Sequence, residues 1–297
     1  MGLRWDWLSP VMTAPYVPAL GPVHPVAVNP GLFADVIAIG GTSRFLPHDK
    51  DRRWADRKDE QVLAGAITQE PGLVLVPTLS TRRAPCVKVH VYSPHPRGAL
   101  SQAAELGRRL CHEHGAAKGR LIWFLPPGSD TDPVAACTRI QLRTFSPGDH
   151  APVPAPEAER DVVPLGEVTE SVRATFGVFA EKLADEGFAF LEARVRDGGT
   201  GPVLTCRRDS RIAGAIGPME IMPDSRGAAR LLPQYFGVLP EYRGLGLGRS
   251  LWRAAMQWGQ QHRAAYQILQ TEVDGASDRL CRSEGLTSLG LVCSTTL

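Results

Sequence analysis

Apolar runs along the second half of the chain change period at definite places. Residues 231–239, LLPQYFGVL, are apolar and partly alternating, which predicts a strand. Beyond them Leu247, Leu251, Ala254, Ala255 and Trp258 fall on one stripe, the spacing of an amphipathic helix. YQILQTEV (266–273) predicts another strand, SDRLCRSEG (277–285) a short helix capped by Gly285, and TSLGLVCST (287–295) a closing strand. Upstream, LGEVTESVRATFGVFAEKLADEG (165–187) reads as helical. PVLTCRRDSRIAGAIGPMEIM (202–222) reads as a hairpin turning at Asp209-Ser210.

The first half carries a similar order. CVKVHVY alternates as a strand should, LSQAAELGRRLCHEHG follows as a helix, and RLIWFLP as a strand. DPVAACTRI is predicted as a short helix and QLRTFS as the last strand. Both halves place P-x-x-R-G between first strand and helix: Pro94 and Arg97 in one, Pro240 and Arg243 in the other, each 146 residues apart. Strand, P-x-x-R-G, helix, strand, short helix, strand therefore occurs twice, which predicts a tandem duplication of one α/β domain.

Between the copies, SPGDHAPVPAPEAERD (146–161) is proline-rich without apolar periodicity and reads as a linker. The predicted organisation is an extended proline-rich arm over 1–31, a first domain over 32–145, the linker 146–161, and a second domain over 162–297.

Composition narrows the functional classes. Lys and Arg total 33 against 31 Asp and Glu, a net charge of +2, too balanced to advertise nucleic acid or an anionic membrane as partner. No run approaches the roughly 18 apolar residues of a membrane span, and prolines and Asp6 interrupt the N-terminus where a signal peptide needs an apolar segment. The expectation is a cytoplasmic protein, monomeric or homodimeric, with reduced and mostly buried cysteines. The mixed run HDKDRRWADRKDE (48–60) reads as a solvated helix or loop. CHEH (111–114) puts Cys111 and His114 on one helix face without a second ligand cluster, so no metal site is predicted.

The stretch PEYRGLGLGRSL holds the strongest chemical signal. Gly244, Gly246 and Gly248 sit at alternate positions just where a helix begins. A helix N-terminus offers unpaired N–H groups and roughly half a positive charge, and bare backbone lets a phosphate approach them. Arg243 adds charge or braces the turn. The spacing is not the G-x-G-x-x-G of a dinucleotide fold, and no G-K-[ST] closes the loop as in a P-loop. Kinase glycine loops lie between two strands.

Val238 to Leu251 resembles the acetyl-CoA signature of the GNAT N-acetyltransferases, [Q/R]-x-x-G-x-[G/A], matched by Arg243, Gly246 and Gly248. A second family motif, N-x-x-A-x-x-L-Y-x-x-x-G-F, is met in spacing by Asp274, Ser277, Leu280, Cys281, Gly285 and Leu286, though in identity only by Leu280 and Gly285. The resemblance implies an α/β protein of two tandem GNAT-like domains, each a mixed, mostly antiparallel sheet flanked by helices. The cofactor it implies is acetyl-CoA or another acyl-CoA. Backbone of Val238 and Leu239 would hold the pantetheine arm, and the loop from Arg243 and Gly244 through Leu245, Gly246 and Gly248 to Arg249 and Ser250 the pyrophosphate. Asp274 stands in place of the usual Asn and is expected to cap the following helix.

The acceptor implied is the amine of a small molecule. Glu220 is the candidate base, or else a plain surface glutamate. Tyr235 is a candidate for orienting substrate, or for packing. Cys281 occupies the place of the family's acidic Tyr, as a weak acid, a nucleophile or a buried thiol. In the first half only Gly98 survives after Arg97, so that copy is expected to lack a phosphate cradle. Two other readings stay open. One is a GNAT-fold enzyme of changed chemistry, with a carrier-protein donor, decarboxylation or C–N cleavage. The other is a non-catalytic CoA-binding module.

Overall fold

The computed structural model describes residues 3–81, 84–131, 135–145 and 162–297. The predicted linker 146–161 lies outside them. The first half contains α1 (Trp5–Leu8), β1 (Tyr16–Val17), β2 (Gly21–Pro22), α2 (Pro30–Gly40), β3 (Glu60–Val62), β4 (Thr68–Glu70), β5 (Leu73–Ser80), β6 (Cys86–Tyr92), α3 (Pro96–Glu113), β7 (Lys118–Leu125) and β8 (Ala136–Thr144). The second half contains β9 (Val162–Pro164), α4 (Glu170–Arg173), α5 (Phe176–Lys182), α6 (Phe188–Arg196), β10 (Leu204–Arg208), β11 (Arg211–Gly217), β12 (Ile221–Pro223), β13 (Ala229–Leu231), β14 (Tyr235–Val238), α7 (Leu247–Gln261), β15 (Tyr266–Glu272), α8 (Ala276–Ser283) and β16 (Thr287–Thr296). Both copies run antiparallel strand pair, helix, strand, closing strand, and the fold is α/β with mixed, mostly antiparallel sheets flanked by helices. The first copy lacks the predicted short helix over its described part: Ala136–Ile140 belong to β8, and residues 132–134 lie outside the described set.

Packing regroups these elements. One compact unit comprises residues 1–143, 224–227 and 268–297, the other 144–223 and 228–267. The linear division at the proline-rich segment therefore differs from the spatial one, and the reason is strand exchange. In the first unit β16 lies between β7 and β8, antiparallel to both, and β8 in turn neighbours β15. Each copy's closing strand thus extends the sheet of the other copy. Cys137 and Cys293 face each other in the β8–β16 register with Cα atoms 4.2 Å apart and form a disulfide, which overturns the expectation of reduced thiols at this pair. A separation of 156 residues hides such a pair from any sequence pattern.

Alternation along β6 and β7 makes the first unit layered. Val87, Val89, Val91, Leu121 and Trp123 face α3, whose Ala99, Ala103, Leu106 and Leu110 are buried against them, and Leu291 and Cys293 of β16 join this core. Residues between them in register, among them His90, Tyr92 and Phe124, are buried as well. The N-terminal arm packs there: Tyr92 Oη donates to Tyr16 O at 2.8 Å, Thr13 Oγ1 donates to Phe124 O at 3.0 Å, and Leu8, Val11 and Val17 are buried. The charged run 48–60 is not simply solvated either, since Asp49 and Lys58 are buried as an ion pair at 2.8 Å.

In the second unit a four-stranded antiparallel sheet runs β9–β10–β11–β14. Its β10–β11 hairpin turns at Asp209 and Ser210, both at positive φ (51° and 58°), where the sequence places it. The predicted strand 231–239 is broken. Residues up to Leu231 (β13) pair in parallel with Tyr266 and Gln267, whereas Tyr235–Val238 (β14) pair antiparallel with β11. Pro233, which has no N–H to give a ladder, sits in the break. Among the described residues no helix is long and apolar enough to cross a membrane.

Candidate active site

The break at 232–234 leaves β14 at the end of its sheet, with β11 as its strand neighbour there. Its other edge offers backbone donors and acceptors of the kind that bind an extended ligand by strand addition. Leu239 N donates to Ala213 O at 2.9 Å, and after it the chain enters the glycine loop.

Two features of that loop are set by backbone geometry. Gly244 and Gly246 have φ of +80° and +82°, a region that side chains disfavour, and a Cβ at either would have no atom within 4 Å. Gly246 is the N-cap of α7, and no side chain caps that helix. Because the helix opens at Leu247, its first-turn N–H groups have no intrahelical acceptor; Ser250 N already donates back to Gly246 O at 3.1 Å. Residues 243–246 are exposed. The loop is thus open, positively polarised and unobstructed, and it fits a diphosphate. Gly248 differs: it lies inside α7, and a Cβ there would make only ordinary contact, 3.5 Å from the Phe236 ring.

Arg243 braces the turn. Its Nε donates to Val238 O at 3.0 Å and its Nη2 reaches Glu186 at 3.3 Å, so the guanidinium ties the end of β14 to the loop. Leu245 is 57% exposed and Arg249 is not buried, while the Ser250 hydroxyl turns back on Gly246 O at 3.4 Å. No acidic residue occupies the first turn of α7 to oppose an anion.

The candidate acid–base residues are distributed as follows. Glu220 is not on a strand but in the connection between β11 and β12. Its carboxylate accepts from Gly201 N at 3.3 Å, and its backbone O accepts from Leu232 N at 2.9 Å, which holds it beside the strand break. Gln234, also in the break, accepts from Gln267 Nε2 at 2.7 Å, and Gln267 Oε1 is buried without a partner. Sequence reasoning missed Gln267 as a member of this group, because its place follows from the β13–β15 pairing. Tyr235 packs against Gly187: a Cβ on that glycine would lie 2.4 Å from the ring. Phe188 and Phe190 flank the same ring at 6.3 and 6.2 Å.

Cys281 and Asp274 belong to the other unit. Cys281 is 2% exposed, and burial, reinforced by the Asp278 charge, pushes its thiol up to about 12. Asp274 does not cap α8. Gly275 is the N-cap, and the buried Asp278 reaches back to accept from Asp274 N at 3.0 Å. Asp278 also accepts from Arg139 Nε at 2.9 Å, Gln141 Nε2 at 3.0 Å and Thr271 Oγ1 at 3.2 Å. The first copy has no counterpart of the open loop: only residues 93–95 separate β6 from α3, and β6 pairs with β7 in continuous parallel register from Cys86↔Lys118 to Val91↔Trp123. Among the described residues no group of three metal-ligating side chains occurs.

Residues 167–282 match the family model described as the acetyltransferase (GNAT) family. Among solved structures, the chain is similar to a GCN5-related N-acetyltransferase from Sphaerobacter thermophilus, at 17% identity over 88% of this chain and 93% of that one, with a TM-score of 0.48. It is similar to a tandem GNAT protein from the clavulanic acid biosynthesis pathway, at 14% identity over 90% and 94%, also at 0.48. A GNAT acetyltransferase from Colwellia psychrerythraea is similar at 13% over 75% and 81%, with 0.45. No curated protein matches the chain.

Proposed function

We propose, from the premise that residues 167–282 are a domain of the GNAT acetyltransferase family, that this protein transfers an acyl group, acetyl foremost, from acyl-CoA to the amine of a small molecule. One observation carries the reading: an uncapped helix N-terminus entered through two left-handed glycines, directly after the terminal strand of a sheet. Bound acyl-CoA supplies a thioester, whose carbonyl is the electrophile. In our reading the amides from Gly244 to Arg249 hold the diphosphate, and the backbone of Val238 helps to hold the pantetheine arm, while Ser250 N is engaged by Gly246 O and the Leu239 backbone by Ala213 O and Tyr242 N. Arg243 keeps these two segments in fixed relation.

An amine attacks only when neutral, so a proton must leave the acceptor's ammonium. Glu220 is the carboxylate best placed for this, directly or through water, since its backbone is bonded to the residue where the strand breaks. A backbone N–H of β14 is the candidate donor to the developing oxyanion. Tyr235 shapes the wall through its contact with Gly187. Cys281, with its thiol held protonated far above neutral pH, serves packing in our reading rather than nucleophilic attack.

The test is thiol release. Given acetyl-CoA and a panel of small amines, the purified protein releases free CoA with at least one of them, and Glu220→Gln lowers kcat by about tenfold or more. Binding of acetyl-CoA without turnover across a broad panel would instead favour a CoA-binding module.

A further inference from the structure

The run between residues 48 and 60 pairs its lysines with its carboxylates and leaves two of its arginines exposed. Lys58 Nζ binds Asp49 at 2.8 Å and Asp51 at 2.9 Å, and Lys50 binds Asp51 at 2.8 Å. Glu60 is taken by Lys88 at 2.8 Å and by the Thr78 hydroxyl at 2.7 Å. Lysines thus occupy the carboxylates of Asp49, Asp51 and Glu60. Arg52 and Arg57 remain on the outside, whereas Arg53 is half-buried. Arg52 is anchored by one N–H to Pro47 O at 2.7 Å, which leaves its charge unpaired. Arg57, and Arg44 from the preceding turn, are exposed, and neither has a hydrogen bond or ion pair among the described residues.

Arg44, Arg52 and Arg57 line one concavity of about 690 Å³ together with Ser43, Phe45 and a single acid, Asp56. Its walls are held in place. Lys58 N donates to Ser43 O at 2.9 Å, Gln61 Nε2 donates to Ser43 Oγ, and the Lys58 ammonium lies 5.5 Å from the Phe45 ring centroid. Three guanidinium groups around one hollow repel each other, and a multivalent anion relieves that repulsion. Guanidinium matches phosphate geometry with paired N–H donors. The volume is that of a small-metabolite site rather than of a lone ion, and Phe45 supplies apolar wall for the remainder of such a molecule.

We propose that this concavity binds a phosphorylated small molecule, a phosphate monoester, and that it is a second ligand site using none of the residues of the acyl-CoA reading. The experiment is calorimetric titration at low ionic strength with inorganic phosphate and with ribose 5-phosphate as probes. Wild type is expected to bind both, the sugar phosphate more tightly. Arg44→Ala/Arg57→Ala is expected to weaken binding at least tenfold, and Asp56→Asn to tighten it severalfold. Arg108→Ala, an exposed arginine of α3 outside the hollow, and Gly246→Val are expected to leave it unchanged. Thermal melting checks the fold of the double variant; Arg57→Gln alone, expected to weaken binding about threefold or more, serves if the double variant does not fold. Absence of binding at 10 mM probe overturns the proposal, as does equal loss in Arg108→Ala or loss confined to Gly246→Val.

Discussion

Cys137 and Cys293, 156 residues apart, stand directly opposite one another on β8 and β16 and are joined through their sulfurs. The bond closes a loop that contains most of the second copy. Cross-linking removes loop-closure entropy from the unfolded chain, which for so long a loop stabilises by about 2–5 kcal/mol. Non-reducing peptide mapping is expected to recover the Cys137–Cys293 pair. Urea unfolding in excess dithiothreitol, or of Cys137→Ser/Cys293→Ser, is expected to lose stability on that scale.

Asp278 is heavily engaged: Arg139, Gln141, Thr271 and the Asp274 amide all donate to it, and it is fully buried. Removing it leaves Arg139, whose side chain is only 15% exposed, without its charge partner. Asp278→Ala is expected to cost about 3–5 kcal/mol by chemical denaturation, whereas Asp274→Ala, at a residue whose side chain is 77% exposed, is expected to cost under about 1 kcal/mol.

His90 is fully buried, its Nδ1–H donating to Val76 O at 3.0 Å, and burial pulls its pKa down to about 4 from 6.5. Glu60 opposes this shift and Lys88 supports it. The unfolded chain therefore binds the proton first. Stability is full above about pH 6.5 and falls as pH drops toward 4, by up to about 3 kcal/mol from this group. Unfolding measured across that window is expected to show the loss in wild type and a flatter profile in His90→Gln.

Cys281 keeps its proton to about pH 12. Iodoacetamide at pH 8 is expected to label the half-buried thiols, Cys86 ahead of Cys111, whose thiol burial pushes up, and to spare Cys281 in the native protein. Cys281→Ala is expected to hold kcat within about threefold. A loss above tenfold would return the thiol to the chemistry.

Local features were legible in the sequence and long-range pairing was not. The Asp209-Ser210 hairpin, α7 and its apolar stripe, and the glycine loop all follow from residues within one or two turns of each other. The stripe ends at Gly259 rather than Trp258, which instead stacks on His262 at 3.8 Å. The run LLPQYFGVL looked like one strand because apolarity is continuous across Pro233, yet its two ends bond to different sheets. Exchange of the closing strands, the disulfide and the Gln234–Gln267 pair all depend on partners brought together by topology. Charge counting likewise does not resolve residues 48–60, since a neutral run says nothing about which residues turn inward as ion pairs.

Everything in the proposed chemistry depends on the loop amides receiving an anion, and amide hydrogen exchange with and without acetyl-CoA reads that directly. Saturating acetyl-CoA is expected to protect the N–H groups of residues 244–249 at least tenfold. Gly246→Val, whose added Cβ meets no atom within 4 Å but must take a left-handed φ, is expected to remain folded and to lose both the protection and the affinity. Unchanged exchange across 244–249 in the presence of bound acetyl-CoA, or unchanged affinity in Gly246→Val, would contradict the account.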